Sequence, residues 1–170
     1  LIKAAIRDPN PVVVLEHELM YGIEFPVSDE IMSEDYVTPL GKAKIEREGT
    51  DATIVTFSRQ VGFSLDAAEA LSKEGLSVEV INLLSLRPLD RDAIINSVKK
   101  TNRLITVEEG WPHCGIGAEI SAIVMETDAF DYLDAPVERV TGADVPMPYA
   151  INLEQAAIPQ VETICEAVRK

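Results

Sequence analysis

The chain is poor in cysteine and has no long apolar run. Only Cys114 and Cys165 occur in 170 residues, and two cysteines so spaced form neither a metal-ligand pattern nor a disulfide framework. Cys165 falls in an apolar helical stripe that follows the helix-start signal Pro159, so we expect it in the core. No stretch of about 18 apolar residues is present, and no transmembrane helix is expected.

Positive charge is scarce as well. Fifteen Lys and Arg residues stand against 29 Asp and Glu residues, which gives a formal net charge of -14 and a pI near 4.5. Nucleic acids and anionic membrane surfaces need clustered basic residues, so neither is an expected partner. The first residue is Leu1 rather than Met, and no signal peptide is recognisable. The sequence is therefore expected to begin within a domain.

What the chain does contain is a regular alternation of strand and helix patterns. Strands are predicted over residues 52–58, 78–84, 104–107 and 137–140. The helices between them carry their own signals: Gly75 as a left-handed end, Asp90 as an amino-terminal cap, and Lys99 and Lys100 in a last turn. This alternation predicts βαβ units, and hence an α/β domain with a parallel sheet and right-handed crossovers.

The first 40 residues follow a different pattern. Residues 1–6 are typical of the end of a helix, and residues 12–15 form an apolar run that predicts a strand buried on both faces of a parallel sheet. Prolines and acidic residues then interrupt residues 22–37, a composition typical of an interdomain linker. We therefore predict the end of one α/β domain, a linker, and one complete α/β domain.

A glycine-rich turn joins the predicted strand 104–107 to the following helix. Such a turn lies at the carboxyl end of a parallel strand, where a helix amino terminus can bind an anion. Gly115 and Gly117 lack the third glycine of a dinucleotide fingerprint, and no acidic residue follows at the usual distance. We therefore favour a tight turn that lets helix and strand pack closely, with a nucleotide or phosphate site as the alternative.

Several residues near this turn are candidates for chemistry. Glu108 and Glu109 could form an acid-base carboxylate pair, although solvated or capping carboxylates are the favoured interpretation. His17 and His113 are the only histidines, and neither is expected to act in acid-base catalysis. Trp111 is expected to be a packing or interface anchor.

Beyond these patterns, six blocks carry a resemblance to a known family. The sequence resembles the beta subunit of the pyruvate dehydrogenase decarboxylating component, of the mitochondrial type, over essentially its whole length. The blocks are LIKAAIRDPNPVVVLE (1–16), ELMYG (18–22), GKAKIER (41–47), RPLD (87–90), LDAP (133–136) and GADVPMPYA (142–150).

The resemblance implies a fold and a domain division. Residues 1–21 would end a pyrimidine-binding, transketolase-like domain, residues 22–37 would be a linker, and residues 38–170 would form a transketolase-type carboxy-terminal domain with a mainly parallel sheet. It also implies a mitochondrial matrix enzyme that decarboxylates pyruvate with thiamin diphosphate and magnesium. The acetyl group would pass to lipoyl groups of the acyltransferase, feeding acetyl-CoA formation.

The family further implies particular partners. These are the alpha subunit, a second beta subunit, and the peripheral binding domain of dihydrolipoyl acetyltransferase. The family's catalytic and cofactor-binding side chains match no position of this chain, so the segment alone is predicted to be inactive and to serve in assembly and docking. Asp134 matches a position that faces the peripheral binding domain; a surface aspartate that caps a turn is the plainer interpretation.

A potassium site is expected at Ala5, Ile6, Asp8 and Asn10. The final carbonyls of a helix lack intrahelical partners and carry the negative end of its dipole, and oxygen ligands suit a hard cation. From the residues alone, an Asx-type turn with its carbonyls exposed to solvent is the favoured description. The resembled family places a structural potassium at this pattern of residues, and that favours the ion.

Two alternatives to this function come from other protein classes or other relatives. One is a nucleotide- or phosphate-binding α/β module that uses the turn at Gly115 and Gly117. The other is a different member of the same group, such as a branched-chain 2-oxoacid dehydrogenase beta subunit or a transketolase.

Overall fold

The computed structural model describes residues 1–170 and contains one five-stranded sheet with helices on both faces. Two 3₁₀ turns lie at Glu18–Met20 and Asp128–Tyr132. The strands are β1 (Lys44–Arg47), β2 (Ala52–Thr56), β3 (Val78–Asn82), β4 (Leu104–Val107) and β5 (Glu138–Val140). The helices are α1 (Ile2–Arg7), α2 (Asp29–Met32), α3 (Gln60–Ser72), α4 (Arg91–Thr101), α5 (Ile116–Met125), α6 (Ile151–Ala157) and α7 (Val161–Arg169).

The sheet has the strand order β1-β3-β2-β4-β5. Strands β2 to β5 are parallel, and β1 pairs antiparallel with β3 at one edge. Successive side chains of a strand point to opposite faces, so Ile54 joins the core beneath α3 and α7 while Val55 joins the core beneath α4 and α5. The predicted mainly parallel α/β fold is confirmed.

Local signals set the helix ends where the sequence predicted them. The Asp90 carboxylate accepts a hydrogen bond from the Ala93 amide at 3.3 Å and caps α4. After α3, Gly75 takes a left-handed φ of +88°, and the Leu76 amide donates to the Leu71 carbonyl at 3.1 Å. That pair of features is a Schellman ending, which needs a residue without a Cβ at the left-handed position.

Two strand assignments differ from the prediction. Residues 12–15 form no strand, and Val13 and Leu15 are 83% and 81% exposed; an apolar run becomes a buried strand only beside another strand, and none of the five lies next to it. The prediction for residues 12–15 is therefore wrong in this structure. Strand β1 was missed because it is a charged edge strand, with Lys44 and Glu46 instead of an apolar run.

The segment predicted as a linker returns to the first helix. Residues 22–37 contain only the short helix α2, and the Lys3 ammonium donates to the Ser33 carbonyl at 2.6 Å. Arg7 likewise donates to the Glu34 carbonyl at 2.8 Å. The domain boundary over residues 22–37 stays a prediction. No helix of the chain combines the length and apolar content needed to span a bilayer.

Candidate functional site at the carboxyl edge of the sheet

The strand order reverses between β2 and β4. Helix α3 leads from β2 to β3 on one side, and α4 then leads back across β2 to β4 on the other side. Doubly wound sheets bind ligands outside the carboxyl ends of the strands at such a switch point. A ligand site is therefore expected among the residues that follow β2 and β4.

Glu108 follows β4 and is only 4% exposed. One carboxylate oxygen accepts from the Ile116 amide at 3.0 Å, and the other accepts from the Gly117 amide at 2.9 Å. These are the first amides of α5, so Glu108 supplies the negative charge that a helix amino terminus attracts. The capping interpretation of Glu108 is confirmed. Its carboxylate occupies the position at the start of α5 that a bound phosphate would take in the alternative interpretation.

The glycines of this turn allow the close approach of α5 to β4. A Cβ added at Gly115 would lie 2.5 Å from a Glu108 carboxylate oxygen, and one added at Gly117 would lie 2.5 Å from the Thr106 hydroxyl. Both distances are far below van der Waals contact. The turn is therefore a close-packing device, as the sequence favoured, and it has no space left for a bound phosphate.

Glu109 is the centre of a second polar group. One of its oxygens lies 2.9 Å from Nε2 of His17, and the other accepts from Nε2 of Gln60 at 3.0 Å. Nη1 of Arg59 is 3.8 Å from that second oxygen. Arg59 and Gln60 start α3 after β2, so this cluster lies across the switch point.

The polar atoms of His17 and Glu109 in this cluster are hydrogen-bonded within the chain. The His17 Nδ1 accepts from the Leu19 amide at 3.2 Å, so both ring nitrogens are engaged, as are both oxygens of Glu109. His113 is exposed, and no hydrogen bond holds its ring.

Trp111 lies on the surface beside this edge. Its indole N–H donates to the Val145 carbonyl at 3.1 Å, and the side chain is 54% exposed. Other large apolar side chains of the same loops are also exposed, namely Val145, Met147, Tyr149 and Ile151. An aromatic anchor within an exposed apolar patch is typical of a protein interface, which agrees with the role expected for Trp111.

The residues of the expected potassium site lie at the end of α1. Asp8 accepts from the backbone and side-chain nitrogens of Asn10 at 2.8 and 2.9 Å, and these hydrogen bonds lower the pKa of Asp8 below its ordinary value. The carbonyls of Ala5 and Ile6 have no hydrogen-bond donor, partly because Pro9 lacks an N–H. Two free carbonyls and one free carboxylate oxygen suit a monovalent cation.

Asp134 is exposed at the opposite edge of the sheet, before β5. Its amide donates to the Asn102 carbonyl at 2.9 Å, while its carboxylate has no partner. The next residues, Ala135 and Pro136, line a cavity of about 130 Å³ together with Arg103. The charge is therefore available to a partner molecule.

Sequence reasoning missed a buried polar network beneath α4. Glu79 on β3 is 1% exposed and accepts hydrogen bonds from Ser97 and Lys100. Thr53 adds hydroxyl contacts of 2.6 Å to Ser97 and to Thr101. The available signal was a glutamate between the apolar residues Val78 and Val80 of β3. A carboxylate buried in such a strand requires a polar or charged partner. No group of three or more His, Cys, Asp or Glu side chains is arranged to hold a metal ion.

Comparison with known proteins agrees with this architecture. Residues 41–164 match the family described as transketolase, C-terminal domain. The chain belongs to the transketolase C-terminal domain family. Among solved structures, a split-gene transketolase described as an inactive beta4 tetramer is similar with a TM-score of 0.69 at 27% identity, over 81% of this chain and 43% of that one.

A second solved structure shares the fold alone. It is the 2-oxoglutarate:ferredoxin oxidoreductase of Magnetococcus marinus, with a TM-score of 0.52 and 16% identity over 82% of this chain and 20% of that one.

Curated relatives cover the whole sequence, including the residues before the transketolase C-terminal domain. The chain is 64% identical over 170 residues to the protein named pyruvate dehydrogenase E1 component subunit beta-1, mitochondrial, of Oryza sativa, and 63% identical to that of Arabidopsis thaliana. The subunit beta of Saccharomyces cerevisiae is 63% identical over 171 residues. The alignments cover 100% of this chain and 45%, 47% and 46% of those proteins, so the chain spans about half their length.

Proposed function

We propose that this chain is the carboxy-terminal part of the beta subunit of a mitochondrial pyruvate dehydrogenase E1 component. One observation carries the proposal: identity above 60% to such beta subunits extends over all 170 residues, beyond the transketolase C-terminal domain itself. The assembled enzyme would decarboxylate pyruvate with thiamin diphosphate in the mitochondrial matrix. It would then transfer the acetyl group to lipoyl groups of the acyltransferase.

Within that enzyme the residues described here would serve assembly and docking. Thiamin diphosphate does not fit the carboxyl edge of this sheet, because Glu108 already takes the first amides of α5 and both oxygens of Glu109 have partners within the chain. The diphosphate and its magnesium would therefore be held by other parts of the enzyme. The exposed apolar residues near Trp111 support a role in joining this chain to an alpha subunit and a second beta subunit.

The proposal is tested by comparing the 170-residue chain with the assembled enzyme. We expect the isolated chain to show no heat of thiamin diphosphate binding by calorimetry and no decarboxylation of pyruvate, whereas the assembly containing the full-length subunit shows both. Pyruvate and branched-chain 2-oxoacids should be assayed side by side. Faster turnover of the branched-chain substrates would assign the chain to a branched-chain dehydrogenase, and cofactor binding by the isolated chain would contradict the assembly role.

A second element of the proposal is a docking contact at Asp134. The carboxylate is exposed and unpaired, and the chain carries a net charge of -14. Both features support attraction of a basic partner such as the peripheral binding domain of the acyltransferase.

The third element is a potassium ion held by Ala5, Ile6, Asp8 and Asn10. An ion that binds only the folded state raises the unfolding midpoint by mass action. We expect the assembled enzyme to unfold at a higher temperature in potassium chloride than in the chloride of a large organic cation at equal ionic strength. The variant Asp8→Asn should lose most of that difference, and equal midpoints for the unaltered enzyme in the two salts would exclude the ion.

A further inference from the structure

A single hydrogen bond joins the first 36 residues to the sheet domain. It runs between Nε2 of His17 and Glu109, which are 92 residues apart in sequence. The other side-chain hydrogen bonds of this segment stay within it, as when Lys3 and Arg7 bind the backbone of residues 31–34. Within this chain, His17 is therefore the residue that links the segment to the sheet domain by a hydrogen bond.

The ring of His17 performs two tasks at once. Its Nδ1 accepts from the Leu19 amide and so caps the 3₁₀ turn Glu18–Met20. Because an acceptor nitrogen carries no proton, the neutral ring has its proton on Nε2, which then donates to Glu109. The cap thus fixes the tautomer that the contact with Glu109 needs.

Glu109 is a rigid partner for this contact. Its other oxygen accepts from Gln60, a residue that is 1% exposed, and lies 3.8 Å from Nη1 of Arg59. The guanidinium of Arg59 is in turn 4.9 Å from the Phe63 ring centroid, over its face. The side chains of His17, Arg59 and Glu109 are all about one quarter exposed, at 22%, 24% and 26%.

We propose that His17 is a positioning residue. Its hydrogen bond to Glu109, which we call the clasp, holds residues 1–21, the segment before the linker, against the carboxyl edge of the sheet and covers the switch point between β2 and β4. The clasp consists of His17 and Glu109. It acts through the ring proton on Nε2, and it depends neither on the cofactor nor on the substrate of the proposed enzyme. Its loss would free the segment around Tyr21 while the sheet domain stays folded.

Two substitutions separate the two tasks of the ring. In His17→Asn the side chain can still cap the Leu19 amide, since asparagine is a favoured amino-terminal cap, but it is too short to reach Glu109. In His17→Gln the side-chain nitrogen has about the reach of Nε2 and can donate to Glu109. The Asn variant therefore breaks the clasp, and the Gln variant keeps it.

The test is chymotryptic cleavage after Tyr21, which is 72% exposed, in the full-length subunit within its assembly; Phe25 precedes Pro26 and is not a cleavage site. Cleavage of a transiently opened segment follows the open population. Loss of one hydrogen bond of ordinary strength changes that population about tenfold. We expect cleavage to be about tenfold faster in His17→Asn and Glu109→Ala, and near the original rate in His17→Gln.

Two further measurements complete the test: the cleavage rate of a double variant and the position of the proton on the His17 ring. The double variant His17→Asn/Glu109→Ala should be cleaved no faster than the faster single variant, because both remove one contact. Nitrogen-15 shifts of the His17 ring should report the proton on Nε2, and unchanged urea unfolding of the sheet domain should accompany every variant. Multiplied effects in the double variant, a Gln variant as fast as Asn, or the proton on Nδ1 would each overturn the proposal.

Discussion

At the scale of single residues, two helical glycines meet opposite surroundings. A Cβ at Gly117 in α5 would lie 2.5 Å from the Thr106 hydroxyl and 3.0 Å from Glu108, whereas a Cβ at Gly62 in α3 would meet nothing within 4 Å. The same substitution should therefore have opposite signs at the two positions. Position 117 tests the close approach of α5 to β4, and position 62 is its matched control.

We predict that Gly117→Ala lowers the free energy of unfolding by about 1–3 kcal/mol, the usual cost of overpacking. Gly62→Ala should raise it by about 0.5–1 kcal/mol, because alanine restricts the unfolded chain and favours helix. Urea unfolding followed by circular dichroism measures both. Equal effects at the two positions would mean that α5 does not pack against Glu108 as described.

Single residues also show where sequence reasoning reaches its limit. Glu108 could be predicted as a cap because it lies eight residues before Ile116 and next to a glycine-rich turn, but its 4% exposure could not. Burial depends on how α5 returns over β4, which local sequence does not encode. The contact of His17 with Glu109 could not be predicted at all, since it depends on the path of a loop 92 residues away.

At the scale of elements, a buried ion pair ties α4 to β3. Glu79 is 1% exposed, and its charge is balanced by Lys100, which also binds Glu48 at 2.9 Å. Burial alone would lower the pKa of Lys100, but the hydrogen bonds to Glu79 and Glu48 outweigh it and raise that pKa above its ordinary value of 10.5. Removing Lys100 would leave Glu79 as an uncompensated charge under a helix.

We predict that Lys100→Met lowers the free energy of unfolding by about 3 kcal/mol, the low end of the range for a broken buried pair because Lys100 is partly exposed. Adding Glu79→Gln should restore most of the loss. The control Lys99→Met breaks the exposed pair with Asp128 and should cost less than about 1 kcal/mol. A Lys100→Met effect no larger than that of Lys99→Met would contradict this account.

The contribution of Lys100 should depend on pH in a defined direction. Because its pKa is raised in the folded state, the stabilisation is complete below pH 10.5 and is lost as the pH rises through the folded pKa. From neutral pH upward, the unfolding free energies of the original chain and of Lys100→Met should therefore converge only as the pH rises through the raised pKa of Lys100. Convergence near neutral pH would be inconsistent with the pair.

Strands that carry an apolar run were predicted to within two residues. Strand β4 has the bounds 104–107 that its apolar run predicted, and β2 and β3 are each two residues shorter than predicted. The charged edge strand β1 gave no such signal and was missed, whereas the other edge strand, β5, begins one residue later than predicted. The apolar run at residues 12–15 predicted a buried strand that the structure does not contain. Such a run indicates that the residues can be buried, but it does not indicate which part of a protein would cover them.

At the scale of the whole molecule, the two candidate contact surfaces lie apart. The apolar patch around Trp111 lies at the carboxyl edge of the sheet, and Asp134 lies at the amino end of β5 on the opposite edge. The patch around Trp111 thus suits close packing with another protein surface, and the Asp134 carboxylate suits a charged and reversible contact. The fold could be predicted from sequence, whereas this division of surfaces depended on the path of the loops.

The exposed carboxylate of Asp134 leads to the last prediction. Any carboxylate of this acidic chain helps to attract a basic binding domain from a distance, but only a residue in the interface changes the rate at which the complex dissociates. Asp131 is the matched control, since it is exposed, lies three residues away and has no hydrogen-bond partner. Asp134→Ala and Asp131→Ala remove the same charge from nearly the same place.

With the full-length subunit assembled and the peripheral binding domain immobilised, both variants should slow association modestly at low salt. That difference should fade as salt rises toward 0.5 M, where charges are screened beyond about 4–5 Å. Only Asp134→Ala should also speed dissociation, by about five- to thirtyfold for one lost charge-assisted hydrogen bond of roughly 1–2 kcal/mol at a partly exposed site. If the two variants dissociate equally fast, Asp134 contributes only to the overall charge of the molecule, and the docking contact lies elsewhere.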